Sequence, residues 1–322
     1  MNHYPSNVKE KLNSIILSMA EHHWLFSKNP GNDFTRQHLG KLSFYDTMRL
    51  IISMGKGSTN DEIMDYFDLD PDLIPSQSAF CQRRRQISLS AFEYLFSEFS
   101  SSFPSTTDKF KDHCILACDG CHVVYATNSD IIEDYNKPRL IDYKGYNHMH
   151  LNGFVDVISK AFLDVVIQPG QQPDEREALH SMLDHFTPDD PQKYIITADR
   201  GYESYDLLFH CELKNLGYVF RVKSPSSPKS ILSYYASEFP DDLEEFDVTI
   251  KRFFTDKATN IMKSQSDVYR YINPSKNTPH FYELLRKNHS HLYFLQFRVV
   301  KIKTAGISKT GNLFPPDSVQ FR

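Results

Sequence analysis

The segment from residue 193 to 223 constrains the fold of this chain more than any other stretch. It opens with Tyr-Ile-Ile-Thr-Ala at 194–198, a run long enough for one buried strand and too short for a helix. Asp199 follows the run, and Gly201 permits a sharp turn. Open α/β sheets place their chemistry at the carboxyl ends of such strands, so Asp199 is a candidate active-site acid. Capping of the next helix, or pairing with Arg200, is the structural alternative.

The rest of this segment predicts a helix and a second strand. Ser204 is a residue type that caps helices, and apolar residues recur after it with helical spacing. Gly217 ends that pattern, and Tyr-Val-Phe-Arg-Val at 218–222 is typical of a strand. A strand–helix–strand unit therefore lies near the centre of the chain.

The bulk composition is that of a globular protein. The chain has 322 residues, of which 40% are hydrophobic and 24% charged, enough for two domains or one core with a large insertion. The first residues lack a signal-peptide pattern, and no run approaches the ~20 apolar residues of a membrane span. With five cysteines, an odd number, we expect a cytoplasmic protein with reduced thiols.

Charge is distributed unevenly along the chain. Residues 113–216 hold eight basic and 17 acidic residues, whereas 217–303 hold 14 basic and nine acidic ones. The acidic stretch suits divalent cations and repels a phosphate backbone unless metal intervenes. The basic stretch is the better candidate for a polyanion-binding face, with a solvated mixed-charge surface as the alternative.

Residues 1–112 form a predicted helical, helix-turn-helix-like DNA-binding region. A helix over 44–54 precedes a second over 58–67, which carries overlapping capping-box signals. A third predicted helix, 78–87, bears three consecutive arginines, and this order is typical of helix-turn-helix proteins. A plain helical bundle with a solvated basic turn is the alternative. The candidate DNA-binding residues are Arg83, Arg84 and Arg85, together with Arg200 further along the chain.

Residues 113–224 form a predicted mixed α/β core. A strand over 113–126 is followed by a hairpin of strands over 149–158 and 161–168. Pro173 and the acids after it open a helix in a way that suits the helix dipole. We expect a β-rich, helix-poor insertion over 225–303 and an irregular tail over 304–322.

Asp119 lies in the middle of the strand predicted over 113–126. Its neighbours on both sides are apolar, and an acid in such a place is costly unless it is paired or binds metal. Cys118 to His122 also match the C-x-x-C-H haem pattern, but a strand sends Cys118 and Cys121 to opposite faces. The same argument disfavours a zinc site that includes Cys114. Buried, inert cysteines are the simpler interpretation.

Asp119 and Asp199 together suit a shared site for divalent metal. We expect both on adjacent strands of one sheet, where hard Mg²⁺ or Mn²⁺ prefers carboxylate oxygen. Two such ions would activate an attacking water or 3′-hydroxyl and stabilise the leaving oxygen.

Three motifs resemble the insertion-sequence DDE transposases of the IS-four type: ACDGCHV at 117–123, HLNGFVDVISKAFLDVVIQPG at 150–170 and ITADRGYES at 196–204. The resemblance implies an α/β fold, a ribonuclease H-like mixed sheet with an N-terminal helical domain and a β-rich insertion. It also implies that Asp119 and Asp199 are the first two catalytic and metal-binding acids, with two Mg²⁺ or Mn²⁺ ions. The implied activity is cleavage and transfer of DNA strands at element ends by a homodimer associated with the nucleoid.

The family's third acid is a Glu in a Tyr-x2-Arg-x3-Glu-x6-Lys pattern, and residues 217–322 lack that spacing. Glu283 has no matching Tyr and Arg before it, so the third catalytic acid is unknown. The expectation is a C-terminally truncated transposase of impaired activity. A non-catalytic DNA-binding remnant and an unrelated metal-dependent nuclease are the alternatives.

Overall fold

A computed structural model describes residues 4–35, 41–102, 109–137, 144–240, 245–273, 278–302 and 319–321. The chain divides into two compact units, Met1–Pro104 and Ser105–Arg322. Across the described ranges, no helix combines the length and the apolar character needed to cross a bilayer.

The N-terminal unit is built from helices. Ser43 and Ser58 start two of them with capping boxes, in which each serine exchanges hydrogen bonds with an aspartate three residues later. Glu62, the other predicted capping acid, instead accepts from the backbone N–H groups of Gly55 and Gly57, at 2.9 and 2.7 Å. The helices are α1 (Tyr4–Glu21), α2 (Phe44–Ser53), α3 (Thr59–Tyr66), α4 (Gln77–Gln86) and α5 (Leu89–Ser101).

The second unit begins with a mixed sheet. Its strands are β1 (Cys114–Tyr125), β2 (Tyr135–Asn136), β3 (Tyr146–Asp156), β4 (Phe162–Pro169), β5 (Tyr194–Ala198) and β6 (Gly217–Val222). Strands β1, β3 and β4 pair antiparallel, and β5 and β6 run parallel to β1. Helices α6 (Glu175–His185) and α7 (Tyr205–Leu213) connect β4 to β5 and β5 to β6. This order, β4-β3-β1-β5-β6, is the ribonuclease H-like arrangement that the sequence predicts, so the fold class is confirmed.

The C-terminal part extends the same sheet. It contains β7 (Phe246–Thr255), α8 (Asn260–Ser264), β8 (Tyr269–Tyr271), α9 (Pro279–Lys287), β9 (Leu292–Lys301) and β10 (Val319–Phe321). Strands β7 and β9 pair antiparallel along ten residues. Strand β10 lies between β6 and β9 and joins the two parts into one ten-stranded sheet.

Two expectations differ from this structure. The segment before β9 is not helix-poor, because α9 buries an apolar stripe of Phe281, Leu284 and Leu285. The tail is not wholly irregular either, since β10 lies within it. A three-residue strand has no periodicity of its own, so its pairing partners define it.

One face of the central sheet carries the core. Leu116 and Cys118 of β1 are buried in the same cluster as Leu179 of α6 and Leu207 of α7. The residues between them on β1 point to the other face, because side chains alternate along a strand. Ile115 and Ala117 there are only partly buried, and Asp119, next in that row, is exposed. Asp119 therefore leaves the sheet on its more open face.

Candidate active site

Asp119 and Asp199 occupy neighbouring positions on two parallel strands. The last registered pair of β1 and β5 is Cys118 with Ala198, so the next residue on each strand is an aspartate. Neighbouring strands lie about 4.8 Å apart, which places the two backbones side by side. Both aspartates are exposed, while Cys118 and Ala198 are buried. The sheet thus presents two acids at the carboxyl end of β5.

Asp119 is exposed, so the desolvation cost expected for an acid in the middle of a strand does not arise. Strand β5 ends at Ala198 while β1 continues to Tyr125, so Asp119 lies just beyond the end of its neighbour. Water reaches the carboxylate there, and its Oδ1 accepts a hydrogen bond from the Gly120 N–H at 2.9 Å. The argument for a functional Asp119 therefore comes from its position beside Asp199 and not from desolvation.

The structure excludes both alternatives for Asp199. Ser204, not Asp199, caps α7, since its side chain accepts from the Asp206 N–H at 3.2 Å. Asp199 Oδ1 accepts from the Gly201 N–H at 2.6 Å, and among the described ion pairs Asp199 has none with Arg200. A Cβ at position 201 would lie 2.9 Å from that oxygen, so a side chain there would displace the Asp199 carboxylate. Arg200 is exposed beside the acid.

A buried tyrosine ties the two acid-bearing segments together. Tyr202 is fully buried, and the Cys118 thiol donates to its hydroxyl with a sulfur–oxygen distance of 3.5 Å. Burial raises the pKa of Cys118 to about 12, although the hydrogen bond to Tyr202 opposes this shift. Because Cys118 precedes Asp119 and Tyr202 follows the Asp199 turn, this contact fixes the two acids relative to each other.

Thiol labelling tests this arrangement of cysteines. Cys121 is exposed on β1, whereas Cys118 is buried with a raised pKa and so has almost no thiolate at pH 8. We expect iodoacetamide to modify Cys121 in the native protein and to modify Cys118 only after denaturation, as read by peptide mass spectrometry. Equal labelling of Cys118 and Cys121 in the native protein would contradict their position on opposite faces of β1. That position is also the argument against the haem and zinc patterns.

The oxygen donors at this site suit a hard divalent ion. Each aspartate uses Oδ1 for a backbone N–H, and among the hydrogen bonds of the described residues neither Oδ2 has a donor. Carboxylate oxygens of this kind are the ligands that Mg²⁺ and Mn²⁺ prefer. The two residues therefore fit part of a divalent-metal site.

A third ligand for the pair is not found in the described part of the chain. Among these ranges, neither acid belongs to a group of three His, Cys, Asp or Glu ligand atoms that all lie within 4.8 Å of one another. Glu283 is exposed on α9, within the insertion. The third acid thus stays unassigned.

Glu175 and His150 are two neighbours that the sequence interpretation missed. Glu175 Oε2 lies 3.1 Å from the position that a Cβ of Gly201 would occupy, and Oε1 lies 3.4 Å from His150 Nε2. His150 is buried and faces His122 of β1, with ring centroids 4.8 Å apart. His122 and Asp119 alternate along β1, so the two histidines lie on the face of the sheet opposite to Asp119. Glu175 also lies beside the Asp199 turn. The sequence interpretation treated Glu175 only as an acid that suits the helix dipole. The alternation of His148 and His150 along β3 was the one further sign of a polar cluster here.

The three arginines of α4 do not share one environment. The Arg83 guanidinium carbon lies 5.1 Å from the Phe34 ring centroid, and its Nη1 donates to Gln86 at 3.1 Å. Arg84 lies 5.7 Å from the Phe80 ring centroid but is exposed, as is Arg85. Arg83 is thus partly anchored to the helical unit, while the other two are accessible.

The comparison with protein families identifies the class of this chain. Residues 110–291, more than half of the chain, match the family model described as "Transposase DDE domain", and the chain belongs to that family. No curated protein gives a significant match.

One solved structure is similar over nearly the whole chain, a piggyBac transposase synaptic complex with hairpin DNA determined by cryo-EM. The identity is 10% and the TM-score 0.33, with 98% of this chain and 51% of that chain covered. The chain thus spans about half the length of that protein.

Proposed function

We propose that this chain is the transposase of a bacterial insertion sequence. It binds the DNA ends of its element and cleaves and transfers strands at Asp119 and Asp199, acting in the cytoplasm as a homodimer on DNA. The observation that carries the proposal is that exposed Asp119 of β1 and exposed Asp199 each directly follow the registered pair Cys118 and Ala198, in a chain of the DDE domain family. Such a pair is what metal-dependent phosphoryl transfer requires of a protein.

Asp119 and Asp199 are the groups that would hold the metal, Mg²⁺ or Mn²⁺. Two ions activate the attacking oxygen and stabilise the leaving oxygen of a phosphodiester. The Gly120 and Gly201 N–H groups each hold one carboxylate oxygen, which orients the other oxygen for ligation. We assign Arg200, exposed directly after Asp199, to a DNA phosphate near the reacting bond.

The proposed DNA contacts of α4 give a salt-dependence prediction. Replacing Arg83, Arg84 and Arg85 together by alanine is expected to weaken duplex binding. It should also lower the slope of log affinity against log salt by about two units, because each phosphate contact adds about one. Arg83 contributes least, since its guanidinium packs on Phe34. Fluorescence anisotropy over a salt series measures both quantities.

The matched control replaces two lysines elsewhere in the N-terminal unit. Lys9 and Lys11 are exposed on α1, and their replacement by alanine also lowers the positive charge. An equal loss of affinity in this control would indicate a general charge effect rather than a DNA-binding face on α4. Unchanged affinity in the arginine variant would contradict the prediction and support the alternative, a plain helical bundle.

A non-catalytic DNA-binding protein is the second candidate function. It is favoured because, among the described residues, neither Asp119 nor Asp199 belongs to a group of three ligand atoms within 4.8 Å of one another. Incubation with Mg²⁺ and DNA carrying the element ends separates the two functions, because only the transposase cleaves. Cleavage of any duplex, with or without those ends, would instead indicate a metal-dependent nuclease.

A further inference from the structure

Three histidines from separate helices meet in the second unit, away from the aspartate pair. They are His180 of α6, His210 of α7 and His280 of α9. One ring nitrogen from each lies within 4.8 Å of the others. Their rings are stacked, with centroids 3.8 Å apart for His210 and His280 and 4.5 Å for His180 and His280.

Two of these nitrogens are in direct contact. Nδ1 of His180 and Nδ1 of His210 are 2.9 Å apart. Two imidazole nitrogens at this distance share one proton or face the same cation. In a tetrahedral zinc site with metal–nitrogen bonds of about 2.0–2.1 Å, ligand nitrogens lie about 3.3 Å apart, so only a small separation is needed.

Carboxylates engage the other nitrogens of these rings. His210 Nε2 lies 3.2 Å from Asp184 Oδ1, and His280 Nδ1 lies 2.7 Å from Asp206 Oδ2. His180 Nε2 is 3.6 Å from the same Asp206 oxygen. Metal-binding histidines commonly donate their second N–H to a carboxylate, which fixes the tautomer and orients the ring. His280 makes such a hydrogen bond here, and a carboxylate oxygen lies near the second nitrogen of each of the other two rings.

Asp206 is itself fixed by α9. Its Oδ1 accepts from the backbone N–H groups of His280 at 3.1 Å and Phe281 at 3.3 Å, and its side chain is 3% exposed. The buried acid thus holds the start of α9 against α7. It also supplies negative charge beside the three rings, which favours a bound cation.

Two of the three imidazoles, those of His180 and His210, have lowered pKa values. Burial, followed by the neighbouring His280, lowers the pKa of His180 to about 4 and that of His210 to about 2. Both rings are therefore neutral at pH 7, and neutral imidazole is the metal ligand. A cavity of about 270 Å³, lined by His180, His280 and Asp206, gives access to the cluster.

We propose that His180, His210 and His280 form a zinc site that stabilises the packing of their helices. Three imidazoles are a ligand set that binds Zn²⁺, and a water from the cavity supplies the fourth ligand. A metal lies in the plane of each ring it binds, so the stacked rings must tilt when the ion enters. The ion would join α9, from the region after β6, to α6 and α7, and so hold that region against the ribonuclease H-like core.

Metal content and thermal stability test this site in the full chain. After exposure to Zn²⁺ and dialysis, we expect about one zinc ion per chain by mass spectrometry of the metal, and a melting temperature several degrees above that of the chelator-treated protein. Cobalt substitution should give the intense visible absorption of a tetrahedral Co²⁺ centre. The bound zinc, the gain in melting temperature and the Co²⁺ absorption should all be lost in His280→Gln. This variant alters the most exposed of the three rings and leaves the core packing in place.

Two further variants complete the test. His185→Gln changes an exposed histidine on the same helix as His180 and should keep the zinc and the stability gain. Asp119→Asn should also keep them, which separates this site from the proposed catalytic one. Zinc content below one-tenth equivalent in the wild type, or full retention in His280→Gln, would overturn the proposal. Loss of zinc in Asp119→Asn would do so too, because it would assign the ion to the aspartates.

Discussion

Replacing Asp119 with asparagine is expected to reduce Mg²⁺-dependent strand cleavage by about 10³-fold or more, the scale for loss of a charged group that fixes a catalytic metal. The substitution keeps the shape of the side chain and removes the charge that attracts the cation. Because Asp119 is exposed and has only the Gly120 N–H as a hydrogen-bond donor in the described structure, the fold should not change. Gel analysis of labelled DNA carrying the element ends measures cleavage, and Mn²⁺ electron paramagnetic resonance measures metal binding.

The controls for this experiment lie in the same unit. Asp130→Asn alters an exposed aspartate beyond β1 and should leave cleavage, metal binding and melting temperature unchanged. Asp199→Asn should cause as large a loss as Asp119→Asn, and the double variant little more, since groups that act as one unit are not additive. Wild-type cleavage by Asp119→Asn would rule out the aspartate pair as the active site. Absence of cleavage in the wild type, with DNA binding retained, would instead favour the non-catalytic function.

The largest expected loss of stability comes from Glu203, whose side chain is completely buried. Its Oε1 accepts from the Ser230 hydroxyl at 2.8 Å and the Ile231 N–H at 2.5 Å. Its Oε2 accepts from the Lys223 N–H at 3.1 Å and lies 3.3 Å from the Lys223 ammonium. One carboxylate thus fixes the loop that leaves β6.

Glu203→Ala is therefore expected to lower the free energy of unfolding of this unit by about 3 kcal/mol, because it removes a buried carboxylate that accepts three hydrogen bonds, one of them from the buried Ser230 hydroxyl. Urea denaturation followed by circular dichroism measures the change. Glu283→Ala, on the exposed surface of α9, is the matched control and should change stability by about 0.5 kcal/mol or less. A Glu203→Ala loss no larger than that of the control would mean that water satisfies these donors.

The sequence predicts this fold well where each element carries its own pattern. The β-branched run before Asp199, the alternating hairpin of β3 and β4 and the serine caps are local signals, and all of them appear in the structure. The neighbouring positions of Asp119 and Asp199 follow from strand order and are likewise found.

The features that the sequence could not predict are set by other parts of the chain, such as the point where a neighbouring strand ends. Asp119 is exposed because β5 stops at Ala198, a limit that no pattern around Asp119 encodes. The histidine cluster joins positions separated by up to 100 residues, and each histidine alone is unremarkable in its helix. The helix α9 did have a signal, since Phe281, Leu284 and Leu285 follow helical spacing after a proline, but it is short and lies between polar stretches.

The position of β10 has a consequence for the order in which the chain can fold. Strands β1, β3, β4, β5 and β6 pair among themselves within residues 114–222, but Val319 of β10 pairs with Val222 of β6 and with Lys301 of β9. During synthesis the ribonuclease H-like strands can therefore assemble while later residues are still inside the ribosome. Until residues 319–321 emerge, the edge of β6 has unpaired backbone groups, which is the kind of edge that pairs with other chains. The sheet becomes continuous only once residues 319–321 have been made, so the newly made protein is more exposed to aggregation before that point.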